Sequence, residues 1–185
     1  MNPAYLTLEL SQAGLNGNAK AGSESLRLYE EHYESCYRFL ILSGSSVDES
    51  LDLLQEGFLR LHANLRNGVH IENPKSWLIR VLYRLRVDEF RRTSRVSCFG
   101  DFPEQVWDHR ILTEGTPETA ALDRERTESL RAAVQKLTAI QRQYLMLRAE
   151  GLKFREIAEL CGVTVGSVFD ACSRALKAIG KQTNV

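Results

Sequence analysis

Apolar residues recur at three- and four-residue steps through much of the chain, which is the spacing of amphipathic helices. A first pattern begins at Ser23 and ends where Ser43–Ser46 interrupts it. A second begins near Asp48, which is a predicted N-cap or first-turn acid, and it ends at Asn67 and the glycine after it. These two patterns predict two consecutive helices joined by a short, small-residue turn.

A third helix is predicted directly after the second. Asn73 is a good capping residue, Pro74 is tolerated in a first turn, and the apolar spacing then continues to Arg92. The predicted apolar faces are Leu26, Tyr29, Tyr33, Cys36, Tyr37 and Leu40 in the first helix, Leu51, Leu54, Phe58, Leu61 and Leu65 in the second, and Trp77, Leu78, Val81, Leu82, Leu85, Val87 and Phe90 in the third.

Helical spacing returns in the C-terminal part of the chain. A charged helix is predicted over Ala121–Gln135, and Thr138 is the candidate N-cap of the next helix, which Gly151 ends in a left-handed conformation. A short helix over Lys153–Leu160 and a tight turn follow, and Thr164 caps a final helix that extends to residue 179. The C-terminal part is therefore predicted to be helical throughout.

Residues 94–120 have no helical period and are punctuated by serine, glycine and proline. A connection of roughly 25 residues usually separates domains or has a function of its own. The sequence therefore predicts an all-α protein in which two helical domains are joined by a long acidic linker. The predicted parts are a loose tail at 1–22, a helical domain at 23–95, the linker at 96–120 and a second helical domain at 121–185.

The charge of the chain is zero in sum but alternates in blocks. Among the 185 residues, 24 are Lys or Arg and 24 are Asp or Glu. Counted along the sequence, residues 24–74 have a net charge of −5, 75–95 of +5, 96–121 of −4 and 122–185 of +4. Two basic stretches separated by an acidic one can contact a polyanion at two places. The alternative is that these blocks are only solvated helix faces.

Composition excludes several classes of protein. No apolar run approaches the ~18–20 residues that span a bilayer, and the N-terminus lacks the basic region of a signal peptide, so we expect a cytoplasmic protein without a membrane span. The four cysteines form no CxxC pair and are expected to be free thiols. His32 and Cys36 are at most half of a zinc site, so no metal or cofactor is expected.

Residues 154–168 have the spacing of a helix-turn-helix. Ala158 is small where two helices approach closely, Gly162 permits the left-handed turn, and Ile157, Val163 and Val168 are predicted to form an apolar contact between the helices. In such a motif the second helix presents its N-terminal residues to base edges in the DNA major groove. The alternative is an ordinary helical hairpin in a bundle.

Three further motifs follow one another along the chain: Asp52–Leu61, then Asn73–Arg80 with Val87–Arg92, then Leu137–Arg142 with Gly151–Ala158. Together they resemble the extracytoplasmic-function (ECF) sigma factors of the sigma-70 family, over residues 23–183. The segments Leu137–Arg142 and Gly151–Ala158 are similar to the C-terminal domain of that family. Asp52–Leu61 is similar to its Q-E-x-F helix, and Asn73–Arg80 with Val87–Arg92 is similar to the helix that opens promoter DNA. The resemblance implies a subunit that binds core RNA polymerase and directs promoter-specific initiation, with an anti-sigma factor as a further partner and no enzymatic activity of its own.

The resemblance also implies roles for individual residues. The polymerase partner would be the clamp helices of the largest subunit, together with the flap, and the implied docking residues are Asp52, Leu53, Gln55, Glu56, Phe58 and Leu59. The residues implied for the downstream promoter element are Trp77, Arg80, Tyr83, Arg84, Arg86, Arg91 and Arg92. Those implied for the helix-turn-helix on upstream promoter DNA are Arg155, Thr164, Ser167, Phe169, Asp170, Ser173 and Arg174.

The chain departs from the family pattern at several positions. Arg84 stands where an asparagine is common, and Gly57 lies in mid-helix, where a kink is expected. In the last helix, three positions that are usually cationic are occupied by Phe169, Ala171 and Leu176, and Asp170 adds a negative charge. Fewer phosphate contacts predict weaker DNA binding with a smaller dependence on salt. Phe169 can instead contact a thymine methyl group, and Asp170 can accept from cytosine N4.

The sequence is also compatible with two alternatives to a promoter-reading sigma factor. The altered last helix also fits a sigma-like interaction protein that occupies an anti-sigma factor or the polymerase without reading promoters. A conventional repressor, which would form dimers on palindromic operators, is disfavoured by the polymerase-docking motif.

Overall fold

The computed structural model describes residues 19–92, 128–130 and 132–183, and within them all regular structure is helical. The predicted all-α fold is confirmed. The chain divides into two units, residues 1–98 and 99–185. The predicted linker and most of the predicted tail lie outside the described residues. Among the helices that the structure describes, none is long and apolar enough to cross a membrane.

Helix α1 (Ala19–Leu42) begins four residues before the predicted start of the first helix. In its first turns, the Ser25 hydroxyl donates to the Ala21 carbonyl at 2.7 Å, and both residues are buried. The buried face also differs from the predicted one, since Leu26 is only half-buried. The apolar residues that α1 buries are Ala21, Leu28, Tyr29, Cys36, Phe39, Leu40 and Ile41.

Helix α2 (Val47–Arg66) begins at a capping box. The Ser46 hydroxyl accepts from the Glu49 amide at 3.3 Å, and the Glu49 carboxylate accepts from the Ser46 amide at 2.9 Å. Asp48 is therefore a first-turn acid, where it interacts favourably with the helix dipole, and is not the cap. Helix α3 (Pro74–Arg92) starts as predicted, since the Asn73 side-chain oxygen accepts from the Ser76 amide at 2.9 Å.

The first unit is a three-helix core in which α1, α2 and α3 all pack against one another. Tyr29 of α1 meets Phe58 of α2 edge to face, with 4.9 Å between ring centroids. The largest fully buried side chains of the unit are Leu28, Phe39, Leu40, Leu54, Phe58, Leu61, Leu78, Ile79 and Leu82. Burial of these apolar side chains is the main source of stability in this unit.

Gly57 lets α2 and α3 approach closely. A Cβ atom added there would lie 2.8 Å from Cδ2 of the fully buried Leu82. Helix α2 continues unbroken past this position. The glycine is explained by helix packing, because the missing side chain leaves room for Leu82.

The second unit contains the helical residues 128–130 and 132–135, followed by α4 (Ala139–Ala149), α5 (Phe154–Cys161) and α6 (Val165–Thr183). Thr138 caps α4 in a capping box with Gln141, as the sequence predicts for this threonine. Helix α6 packs on both α4 and α5. The buried apolar residues of the second unit are Ala133, Leu137, Tyr144, Leu147, Leu152, Ile157, Ala158, Val168, Ala171, Cys172 and Ala175.

His62 of α2 is buried and makes one polar contact in the described structure. Because the Ser25 hydroxyl donates its hydrogen to Ala21, the Nδ1 atom of His62, 3.0 Å away, is the donor to Ser25. The other ring nitrogen is then unprotonated, and it is buried without a hydrogen-bond partner. Burial, together with the nearby charge of Arg66, lowers the pKa of His62 below its ordinary value of 6.5.

We expect Gly57→Ala to lower the free energy of unfolding by about 1 kcal/mol. The added methyl group overpacks Leu82, at a typical cost of ~1–3 kcal/mol, which exceeds the gain of up to ~1 kcal/mol in helix propensity. Urea unfolding followed by circular dichroism measures the change. Gly180→Ala is the matched control, because a Cβ there meets nothing within 4 Å and the variant should be slightly stabilised. A Gly57→Ala protein more stable than the wild type would contradict the packing explanation.

We expect the first unit to lose stability as the pH falls from about 7 to 5. The pKa of His62 is lower in the folded state than its unfolded value of 6.5, so the unfolded chain takes up the proton first. The contribution of neutral His62 is present above pH 6.5 and is lost below it. His62→Leu should flatten this part of the stability–pH profile, whereas His70→Gln, at an exposed histidine, should leave it unchanged. Equal slopes for all three proteins would refute the assignment.

Candidate nucleic-acid and protein interfaces

The outer face of α3 brings several of the predicted DNA-binding residues together. Trp77, Arg80, Arg84 and Arg91 follow one another at spacings of three, four and seven residues, which places them on one side of the helix. Arg84 and Arg91 are exposed, while Trp77 and Arg80 are half-buried at the edge of the core. We call these four residues the basic stripe. Asp88 is the acidic residue on the same side of the helix.

Two residues predicted to bind DNA lie inside the first unit instead. Tyr83 and Arg86 are both only 7% exposed. The Arg86 guanidinium donates from Nε to the Ser45 hydroxyl at 3.0 Å and from a terminal nitrogen to the Ser43 carbonyl. Arg86 is thus a structural tie between α3 and the turn that joins α1 to α2. Tyr83 and Arg86 are thus largely buried in the free chain, and their contact with DNA stays a prediction.

Arg92 lies away from the basic stripe. Its guanidinium is 3.4 Å from the Glu89 carboxylate, and both residues line a groove between α2 and α3. Arg92 therefore shares a surface with residues predicted to bind the polymerase.

The groove between α2 and α3 has a volume of about 370 Å³ and a mainly acidic lining. Leu53 and Leu85 form the apolar part of its lining. The Glu56 carboxylate accepts a hydrogen bond from Nε of Arg60 at 2.6 Å. We call it the acidic groove. It is lined by Glu49, Asp52, Leu53, Glu56, Arg60, Leu85, Glu89 and Arg92. The sequence had singled out the α2 residues Asp52, Leu53 and Glu56, but not the α3 wall opposite them.

The remaining residues predicted to dock on the polymerase divide between surface and core. Leu59 is exposed and Gln55 is half-buried, so both are available beside the acidic groove. Phe58 is only 1% exposed and packs against Tyr29. The ring of Phe58 is therefore part of the core in the free chain, and its contact with a partner stays a prediction.

The helix-turn-helix has the predicted turn. Gly162 has φ = 68° and ψ = 35°, the left-handed conformation that glycine adopts at least cost. Ile157 and Val168 are fully buried between the helices, and Ala158 is nearly so. Val163 is 39% exposed and does not belong to this apolar contact, which corrects the prediction. Its amide donates to the Ala158 carbonyl at 3.0 Å, so the residue supports the turn through its backbone.

At the N-terminal part of α6, residues 164–170 are exposed except for the buried Val168. The Thr164 hydroxyl accepts from the Ser167 amide at 3.2 Å, which confirms the predicted cap, and it lies 2.8 Å from the Ser167 hydroxyl. The Nε atom of Arg174 donates to the Asp170 carbonyl at 3.2 Å. The exposed predicted residues are Arg155, Thr164, Ser167, Phe169, Asp170 and Arg174, and Ser173 is half-buried.

An aromatic pair joins the two helices of the motif. The rings of Phe154 and Phe169 meet edge to face, with 5.6 Å between centroids and an interplanar angle of 77°. The guanidinium of Arg148 lies 4.6 Å from the Phe154 ring centroid and donates to the Leu152 carbonyl. The sequence did not point to Phe154 or Arg148, although an aromatic residue at the first position of α5 was the available signal.

Among the described residues, no group of three or more His, Cys, Asp or Glu side chains is arranged to hold a metal ion. Cys36 is fully buried in the first unit, and His32 is half-buried.

Comparison with known proteins identifies both units. Residues 28–96 match the model for sigma-70 region 2, and residues 127–179 match the model for sigma-70 region 4. The chain is 26% identical over 160 residues to the ECF RNA polymerase sigma factor SigX of Bacillus subtilis (83% of this chain, 80% of that protein). It is 30% identical over 138 residues to the ECF RNA polymerase sigma factor EcfG of Rhodopseudomonas palustris (74% and 72%).

We expect Arg86→Met to lower the free energy of unfolding by about 2 kcal/mol, because charge-assisted hydrogen bonds to the turn are lost and the Ser43 carbonyl remains buried. Arg84→Met, two positions away but exposed, should change stability by less than about 0.5 kcal/mol. Urea unfolding of both variants makes the comparison. If both variants have wild-type stability, Arg86 is not the tie that the structure indicates.

Proposed function

The chain belongs to the ECF sigma factors of the sigma-70 family, and on this premise we propose that it binds core RNA polymerase and directs initiation at particular promoters. The observation that carries the proposal is the separation of two oppositely charged surfaces on the first unit. The acidic groove involves α2 and one side of α3, and the basic stripe occupies another side of α3. Polymerase and DNA can therefore bind this unit at the same time.

We propose that the acidic groove and the adjoining Gln55 and Leu59 dock on the clamp helices of the largest polymerase subunit. Four carboxylates and two leucines offer a basic helix both charge pairing and apolar contact. Arg60 and Arg92 pair with acids inside the groove and limit its net charge.

The basic stripe is proposed to hold the separated strand of the downstream promoter element. Exposed Arg84 and Arg91 are suited to phosphates, and the half-buried Trp77 lies on the same side of α3, where a base can stack on its accessible part. Unstacked bases favour aromatic and planar cationic surfaces, and this side of the helix supplies both.

The second unit is proposed to bind the upstream promoter element through α6. Residues 164–167 and Phe169, Asp170 and Arg174 are exposed at the N-terminal part of that helix, the part that reaches base edges in other helix-turn-helix proteins. Exposed Lys153, Arg155 and Lys177 are available to phosphates.

We further propose that the two functional domains extend over residues 23–95 and 121–185, with α1 adding residues 19–22 to the first. The chain would act in the cytoplasm, where the polymerase performs the catalysis, and an anti-sigma factor would hold it inactive. A second candidate function is an interaction protein that occupies polymerase or an anti-sigma factor without reading promoters. The loss of cations at Phe169, Ala171 and Leu176 of α6 favours that alternative, as does the added negative charge of Asp170.

Run-off transcription tests the proposal. We expect the chain, mixed with core polymerase and a fragmented genomic library, to start transcripts at a restricted set of promoters. The double variant Asp52→Lys/Glu56→Lys should lose core binding, because it reverses two charges in the acidic groove. Glu34→Lys, at an exposed acid on α1, is the matched control. Arg84→Ala/Arg91→Ala should retain core binding but initiate less, with a stronger inhibition by salt.

Two results would count against the proposal in different ways. If the chain does not bind core polymerase even at low salt, the assignment of the acidic groove and the proposed function both fail. If it binds core polymerase but never selects promoters, the second candidate function is the correct one.

A further inference from the structure

We propose that Phe169 reads thymine methyl groups in the upstream promoter element, an inference that rests on the proposed function and specifies what α6 recognises. Phe169 is 53% exposed on the outer side of α6, which is an unusual position for a large apolar ring. Val165, one turn earlier on the same side of the helix, is 47% exposed. Together they form an apolar strip at the end of α6 that a helix-turn-helix directs at base edges.

The ring of Phe169 is held in place before any ligand binds. Its edge-to-face contact with Phe154 connects it to α5, and the Arg148 guanidinium on the Phe154 ring extends this contact to α4. Arg148 is itself tied to the Leu152 carbonyl. A side chain held in this way loses little conformational entropy on binding, so its exposed area is available to a ligand at low cost.

The charges around this strip favour duplex DNA as the ligand. Exposed cationic residues flank it on both helices, and the exposed polar residues of the first turn of α6 lie between them. Thymine is the one base that presents a methyl group in the major groove, and phenylalanine contacts that methyl group through apolar surface. The flanking cationic residues are Lys153, Arg155, Arg174 and Lys177.

Asp170, next to Phe169 in the chain, adds a second means of distinguishing bases. Its carboxylate is exposed and cannot pair with the acceptor groups of guanine, whereas it can accept from the amino groups of cytosine or adenine. Compared with the family pattern, α6 has fewer cations and carries an aromatic ring and a carboxylate. Its affinity for DNA should therefore depend less on phosphate charge and more on base identity.

Deoxyuridine substitution tests the inference, because it removes only the methyl group and keeps base pairing. A promoter obtained by run-off selection is prepared with deoxyuridine at each thymine of its upstream element in turn. We expect holoenzyme with the wild-type chain to bind about fourfold more weakly at one or two of these positions, the factor that corresponds to ~0.8 kcal/mol for one buried methyl group. The Phe169→Ala chain should bind thymine and deoxyuridine promoters equally well.

Leu176→Ala is the matched control, since it removes another exposed apolar side chain from α6 two turns further on, and it should keep the wild-type preference for thymine. Phe154→Leu should reduce the preference without abolishing it, because Phe169 remains but is less firmly held. Equal wild-type binding to all substituted promoters, or an undiminished preference in Phe169→Ala, would overturn the inference while promoter-specific initiation still supports the proposed function. If no promoter is selected at all, both fail together.

Discussion

The buried guanidinium of Arg86 fixes the rotation of α3, and both outer surfaces of the first unit depend on that rotation. Arg86 lies one turn beyond the buried Leu82 and reaches the turn at Ser43 and Ser45. With this side of the helix directed inward, Arg84 and Arg91 face solvent and Glu89 faces α2. Gly57 complements the tie by leaving room for Leu82, so that α2 and α3 pack closely. A rotated α3 would merge the acidic groove with the basic stripe and weaken both by charge neutralisation.

The zero net charge of the chain is therefore a sum over surfaces of opposite sign. In the first unit, α2 and the adjoining edge of α3 carry the carboxylates of the acidic groove, while the basic stripe carries its charge on another side of α3. Under the proposed function, such an arrangement would attract a polymerase surface and a DNA strand to separate sites on the unit. In the second unit, by contrast, the exposed part of α6 combines cationic, acidic and aromatic residues, which favours selectivity over general phosphate affinity.

Much of this fold could be predicted from the sequence, because helix period and caps are local properties. The predicted capping role of Thr138, the left-handed Gly162 and the cap at Thr164 are all observed. The exposure of individual side chains was harder to predict, because it depends on tertiary packing. Phe58, Tyr83 and Arg86 match binding residues by family resemblance, yet tertiary packing buries all three. For Arg86 the signal was its spacing of four residues from Leu82, which outweighs the usual exposure of arginine. The limits of the predicted domains remain a proposal.

Hydroxyl-radical footprinting of side chains tests the central claim most directly, which is that the first unit binds polymerase and DNA on two separate surfaces. The free chain, the chain with core polymerase and the complete promoter complex would be compared. The account predicts that Leu53 and Leu59 become protected when core polymerase is added, and that Trp77 becomes protected only when promoter DNA is added. Phe58 and Tyr83 should stay unreactive throughout, because the core already covers them. Protection of Trp77 by core polymerase alone, or of Leu53 only by DNA, would contradict the division of the two surfaces.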